Sequence, residues 1–326
     1  MLARMPTAVR FLPLAIAVLI GAAAPRTAAP PQQRPRILGV AHVAFFVSDL
    51  EKARGFYRGL LGFDEPFTLP TADGGVDIAF VKINDRQWIE LFNRPAGDAR
   101  DAPEGGQLNH IALYTDSADR MRDYLASRGV SVPDKVPKGR TGNKNFTVKD
   151  PDGHSVEIVE YQPGSWTAKD TGKHLPAGRL SARALHVGIL SGRLDRSLAF
   201  YGDILGFREF WRGNSATSKT LSWVNIRVPD GTDYIELMLY DQLPAPENRG
   251  TAHHLCLEVP DMDKALAAFN AKQLRSSYTR DVGIRTGVNR KRQLNLFDPD
   301  GTRVELMEPK TVDGKAAPSS LLPPPR

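Results

Sequence analysis

Cysteine is almost absent: Cys256 is the only one in 326 residues, so no intrachain disulfide can form. A chain without that cross-link rests on its apolar core, and 41% hydrophobic residues over this length allow a sizeable one. Charge of one sign is also scarce. The formal net charge is +6, and removing Arg4, Arg10 and Arg26 with an N-terminal leader leaves +3. That is too weak a field to suggest a nucleic-acid partner. The apolar run Phe11–Ala24 falls short of the ~20 residues of a membrane-spanning helix.

What that run does resemble is a secretory signal. Arg4 and Arg10 precede it, and Ala22–Ala29 offers small residues for cleavage. Residues 1–29 are therefore expected to be a signal peptide. The expected location is outside the cytoplasm, periplasmic or secreted, with no stable membrane span after processing. Gln32–Arg36 reads as a disordered lead-in.

The chain is organised around Gly39–Phe63. Within Val40–Val47, His42, Ala44 and Phe46 share one strand face. Ser48 and Glu51 have capping-box spacing, and Leu50, Ala53, Phe56, Tyr57, Leu60 and Leu61 follow at helical spacing. Gly62 suits the left-handed residue after the last turn. The unit then recurs 144 positions on. Leu50, Phe56, Tyr57, Leu61, Gly62 and Phe63 match Leu194, Phe200, Tyr201, Leu205, Gly206 and Phe207, and His42 matches His186. So many identities at one long offset indicate duplication.

After the first helix, Glu65–Leu69, Val76–Ile83 and Gln87–Phe92 read as strands, giving a β-α-β-β-β module over residues 38–98. Arg94–Gly106 is a Pro/Gly/Asp-rich linker. A second module, 106–163, begins at Leu108, with Asp116 or Ser117 capping its helix. Its Asn145–Lys149 and Ser155–Tyr161 strands flank Asp150-Pro151-Asp152-Gly153, a sequence that suits a type I turn. Pro163–Ser181 reads as a polar linker and the boundary between two domains, 37–163 and 181–310. Modules 181–243 and 250–310 repeat the pattern, the last with Asp298-Pro299-Asp300-Gly301 and a helix near Met262–Leu274. Thr311–Arg326 is Pro- and Ala-rich and expected to be a disordered tail.

Each module has a His near the start of its first strand and a Glu in its last. The pairs are His42 and Glu90, His110 and Glu157, His186 and Glu236, His254 and Glu305. A lone strand His is usually a core or rim residue, and a lone Glu the exposed side of an amphipathic strand. Four coincident pairs are harder to assign that way. Imidazole and carboxylate are ligands shared by zinc, iron, manganese and nickel ions. Two paired modules would supply two His and two Glu to one ion, leaving neighbouring positions for a substrate that chelates through adjacent oxygens.

The motif His-x-x-x-x-Val-x-Asp-Leu-x-x-Ala-x-x-Phe-Tyr-x-x-x-Leu-Gly-Phe at His42–Phe63, with the two Asp-Pro-Asp-Gly turns, resembles the vicinal oxygen chelate superfamily over Ile37–Pro309. That superfamily comprises glyoxalases, bleomycin and fosfomycin resistance proteins and extradiol dioxygenases. The resemblance implies an α+β fold in which βαβββ modules pair into two open, cup-shaped mixed sheets with helices outside. It also implies a divalent metal ion in the cup, held by the eight residues above. Pairing of module one with two and three with four, or one with four and two with three, stays open. Glyoxalase-like isomerases resemble a two-His, two-carboxylate site, and extradiol dioxygenases a two-His, one-carboxylate site. The extradiol pattern has a Tyr where this chain has Thr147 and Asn295, and a His upstream that is absent here.

A second repeated feature is Arg140-Thr141-Gly142 and Arg285-Thr286-Gly287. Arg140 and Arg285 are candidates for holding an anionic substrate over the cup; a solvated basic loop is the alternative. Cys256 is expected to face the cup with His254 as a small filler. His154 and His253 read as surface residues or supports of the ligands. The expectation is a metal-dependent lyase or isomerase, monomeric or homodimeric, acting on a small molecule, with Glu90, Glu157, Glu236 or Glu305 as general base. The alternatives are a ring-cleaving dioxygenase and a ligand-sequestering protein.

Overall fold

The computed structural model describes residues 33–94, 107–245, 249 and 252–326. The expected signal peptide and residues 95–106 of the first linker lie outside them. Two mixed sheets form the protein. The first contains β1 (Ile37–Val47), β2 (Asp64–Pro70), β3 (Val76–Lys82), β4 (Trp88–Asn93), β5 (Leu108–Thr115), β6 (Lys144–Lys149) and β7 (Ser155–Glu160). Their order is β2-β3-β4-β1-β5-β7-β6. The second contains β8 (Ala184–Ser191), β9 (Arg208–Gly213), β10 (Trp223–Arg227), β11 (Tyr234–Leu239), β12 (His254–Glu258), β13 (Arg285–Thr286), β14 (Lys291–Phe297) and β15 (Arg303–Thr311). Their order is β13-β14-β15-β12-β8-β11-β10-β9. Module one therefore shares a sheet with module two, and module three with module four.

This order places the chemistry. The first strands of the paired modules, β1 and β5, lie antiparallel at the centre, and each module's last strand runs parallel outside its first. Ala44 lies between Glu90 and His110, and Ala112 between His42 and Glu157. The four residues thus come from four adjacent strands.

The other sheet faces pack under helices and form the main core, with Val43, Phe45, Ile89, Leu91, Ile111, Leu113 and Ile158 all buried. Helix α1 (Leu50–Arg54) loosens into a π-helical segment over Gly55–Leu60. Its equivalent α4 (Leu194–Ser197) does the same over Leu198–Ile204. Gly62 and Gly206 stop both segments with φ of 79° and 80°, a conformation that suits glycine. Ser48 is not the cap. The Asp49 carboxylate accepts from the Lys52 N–H, while Ser48 is engaged by Asp300 of the other sheet. In the second module Ser117 caps α2 (Ala118–Ser127). That module's remaining strand is reduced to an isolated Lys138–Lys144 bridge, in a stretch where Pro133 and Pro137 have no N–H to donate. In the fourth module, α5 (Met262–Asn270) is followed by a short 3₁₀ turn.

The C-terminal segment departs from the expected disorder. The Leu221 N–H donates to Pro323 O at 2.8 Å and the Ser320 N–H to Arg212 O at 2.9 Å. Leu322 packs against the core. The segment covers the edge of β9, where backbone groups need partners, and its prolines lower the entropy lost on docking.

Candidate metal centre

In the first cup, His42 Nε2 and His110 Nε2 face each other at 2.8 Å. His42 Nε2 is 3.5 Å from Glu90 and 3.6 Å from Glu157; His110 Nε2 is 3.2 Å from Glu157 and 3.8 Å from Glu90. Both histidines and Glu157 are buried, and Glu90 nearly so. The cavity beside them is about 30 Å³, lined by Phe80, Trp88, Val159 and Tyr161 and by the polar Thr141, Asn143, Asn145 and Thr167. That volume holds about one water molecule.

Among the described residues no Lys or Arg lines this cavity, and the basic groups beside the two carboxylates are the imidazoles of His42 and His110. Burial opposes a proton on His42, but the charges of Glu90 and Glu157 outweigh it and raise its pKa. Burial likewise opposes ionisation of Glu157, but hydrogen bonds and charge from His110 and His42 hold its carboxyl below the usual range. Glu90 is shifted the other way, upward, by burial and by the Glu157 charge. The His110 ring is oriented by its Nδ1, which bonds Asn109 Oδ1 at 2.8 Å. An amide oxygen only accepts, so Nδ1 carries a hydrogen, and Nε2 is the atom that the neutral ring would offer to an ion. Two inward imidazoles and two carboxylates without a resident cation fit a divalent metal ion.

The segment read as a linker closes this cup. Helix α3 (Trp166–Lys169) brings Thr167 over the cavity, where its hydroxyl accepts from Asn143 Nδ2 at 3.0 Å. Trp166 packs edge-on against Phe67, and its N–H donates to Thr141 O at 2.9 Å. The segment is anchored by Lys82, which has no exposed surface and donates to Asp170 Oδ2 at 2.8 Å. The polar composition of Pro163–Ser181 concealed this role; Trp166 was its one sequence signal.

The second cup is similar in outline and different in charge. His186 Nε2 and His254 Nε2 are 3.0 Å apart. His186 lies 3.5 Å from Glu305, and His254 lies 3.5 Å from Glu236 and 3.7 Å from Glu305. Here a cation intrudes. Arg303 Nη2 sits 2.6 Å from His254 Nδ1, which also lies 2.9 Å from the Ala252 carbonyl oxygen, an acceptor for its N–H. Burial lowers the pKa of His254 and His186, and the Arg303 charge lowers both further. Burial and the Glu305 charge push Glu236 up to about 8. Cys256 is buried here as expected, and burial together with Glu305 and Glu236 keeps it a thiol. Arg303, Glu305 and Met307 line a cavity of about 90 Å³ with Trp211, Trp223 and Asn289. Arg303 could have been noticed from its same-face spacing, two residues before Glu305.

Arg140 and Arg285 are exposed at the rims. Their loops place Thr141 on the first cup and Gly287 on the second, while the Arg140 side chain reaches Pro70 O at 3.4 Å and Asp77 at 3.6 Å. His154 and His253 are buried rather than on the surface, ring against ring at 5.2 Å. The Asp150 carboxylate, 2.8 Å from His154 Nδ1, holds His154 in the contact between sheets.

A family model described as the Glyoxalase/Bleomycin resistance protein/Dioxygenase superfamily matches residues 39–158 and 183–306. The human mitochondrial methylmalonyl-CoA epimerase is 30% identical over 130 residues, covering 36% of this chain and 72% of the epimerase. Among solved structures, a Mn(II)-bound glyoxalase from Novosphingobium aromaticivorans superposes with TM-score 0.61 and 18% identity, over 84% of this chain and 83% of its own. A variant of homoprotocatechuate 2,3-dioxygenase from Brevibacterium fuscum gives TM-score 0.61 and 17% identity, over 85% and 73%. Both structural likenesses concern the fold.

Proposed function

Because the chain belongs to the Glyoxalase/Bleomycin resistance protein/Dioxygenase superfamily, we propose that it is a divalent-metal-dependent isomerase- or lyase-type enzyme whose reaction takes place in the first cup. The substrate class is a small molecule with adjacent oxygens. The observation that carries the reading is the convergence of His42, Glu90, His110 and Glu157 in a cavity that no Lys or Arg among the described residues lines.

His42, His110 and Glu157 would hold the ion with Glu90. When bound it supplies Lewis acidity to a substrate oxygen. The chain's own groups then divide the work. Glu157, held ionised by both histidines, stays a carboxylate. Glu90, with its raised pKa, is the one suited to take a proton from substrate carbon and return it. Trp88, Phe80 and Tyr161 exclude water, and Thr141, Asn143 and Asn145 offer hydrogen bonds that orient a polar substrate. Thr167 of α3 lines the cavity, so residues 163–173 border the space a substrate would enter. Arg140 at the rim supports an anionic group on the substrate. If all four residues held the ion, they would favour a single chelating substrate over substrate together with O₂.

The test is turnover in an oxygen electrode with metal content followed in parallel. Activity that needs the metal and consumes no O₂ supports the reading. Uptake of O₂ with catechols, in protein whose Glu90→Ala variant keeps full metal, replaces it with the dioxygenase. We propose export on the strength of Phe11–Ala24 behind Arg4 and Arg10; N-terminal sequencing of mature protein that begins at Met1 would refute cleavage.

A further inference from the structure

The two cups differ at the strand position that lies between their ligands. In the first, Ala112 of β5 pairs with His42 on β1 and with Glu157 on β7. In the second, the residue 144 positions on is Cys256 of β12, which pairs with His186 on β8 and with Glu305 on β15. Residues paired across adjacent strands share a face. The thiol therefore stands among the second cup's donors where the first cup has a methyl group. Cys256 Sγ, a ring nitrogen of His186 and a carboxylate oxygen of Glu305 all lie within 4.8 Å of one another. His186, Glu236 and His254 meet the same limit, so five donors converge there and one of them is sulfur. Cys256, His186 and Glu305 are buried, and His186 Nδ1 has no hydrogen-bond partner.

Arg303 is the matching difference in charge. It pairs with His254 between β15 and β12, where Ser155 pairs with His110 between β7 and β5. Among the described residues it is the one cation lining this cavity. A cysteine that ligates a metal does so as the thiolate. With an ion bound, Glu236, Glu305 and the Cys256 thiolate set three anions against the Arg303 cation, a net charge of two negatives. Glu90 and Glu157 supply the same two negatives in the first cup. The sulfur thus offsets the arginine, and each cup balances a divalent ion.

We infer that the second cup is a metal site of a different class from the first, in which His186, Glu305 and the Cys256 thiolate hold a zinc-type ion. The first cup's donors are all nitrogen and oxygen and suit harder ions such as Mn²⁺, whereas a thiolate selects for Zn²⁺. On coordination the thiol's proton passes to solvent. The assignment does not depend on which cup performs the reaction.

The experiment is a Co²⁺ titration of the full chain, stripped with a chelator and kept reduced under nitrogen, followed by near-ultraviolet absorption. Cobalt stands in for zinc and gives a sulfur-to-metal charge-transfer band when a thiolate is bound. Cys256 is the only cysteine, so the band reports this residue. It should appear in wild type and in His42→Ala and vanish in Cys256→Ala. In His186→Ala it should need at least about tenfold more cobalt. Circular dichroism reports that each variant is folded, and the wild-type spectrum decides without any variant. Zn²⁺ in equal amount should displace the cobalt and remove the band, and Mn²⁺ should not. No band in wild type once cobalt is bound, or a band that a folded His186→Ala leaves unchanged, overturns the assignment. Removal by Mn²⁺ as readily as by Zn²⁺ overturns the class of ion. A first cup that holds no metal would leave the band untouched, so the two readings fail separately.

Discussion

The Tyr57 hydroxyl donates to Asp298 Oδ2 at 3.1 Å, across 241 positions of sequence and from one sheet's helix to the other sheet's turn. Tyr201 repeats the bond to Asp150 at 3.0 Å. In both turns the first Asp also accepts backbone N–H groups of its own turn, from Asp152 and His154 or from Asp300 and Thr302. The second Asp reaches the start of the opposite helix, Asp300 to Ser48 and Asp152 to the Gly192 N–H. The repeated Asp-Pro-Asp-Gly turns are thus reciprocal latches between the two sheets.

Tyr57→Phe leaves Asp298 Oδ2 buried without its donor. The expected cost is about 1–3 kcal/mol, read from urea denaturation, with metal binding in the first cup unchanged.

The same aspartate sets a pH dependence. Burial first, then the Asp300 charge, pushes Asp298 up to about 7. An unfolded Asp titrates near ~4. Between those values the folded state holds a proton that the unfolded state has lost, so this group's contribution to stability falls as pH rises from about 4 to 7. Asp298→Asn keeps a neutral acceptor and should flatten that decline. A wild-type decline no steeper than the variant's would contradict it.

Lys82→Ala removes the buried anchor of residues 163–173. Asp170 would keep only the half-exposed His174 as a partner, and the expected loss is about 3 kcal/mol. Because Thr167 lines the first cup, catalysis should suffer as well, chiefly through a raised KM.

Glu90→Gln separates proton transfer from metal binding. The amide oxygen still ligates but takes no proton, so kcat should fall about 10²–10⁴-fold. Metal content should fall less than in His42→Ala. Unchanged kcat would remove Glu90 as the base.

The duplication made most of the architecture and the first cup legible, because His42 and His110 recur 144 positions on, and Glu90 and Glu157 recur 146 and 148 positions on, on strand faces of period two. Sheet pairing was not legible. Whether β1 meets β5 or β12 depends on long-range packing, and both partners begin with the same His pattern. Ser48 and Asp49 are both good caps; the choice fell to Asp49 because Asp300, 252 positions away, takes Ser48. The place of residues 163–173 beside the first cup was hidden because anchoring by Lys82 leaves no periodic signal. The second cup brings His186, Glu236, His254 and Glu305 together as the repeat implied. What the repeat did not reveal is the neighbour Arg303, which lines the second cup where the first has no Lys or Arg among the described residues.

The most direct measurement is anomalous diffraction from crystals of the full protein loaded with Mn²⁺, recorded near the manganese edge. The account predicts a strong peak within coordinating distance of His42, Glu90, His110 and Glu157. No peak there at full Mn²⁺ loading would contradict it.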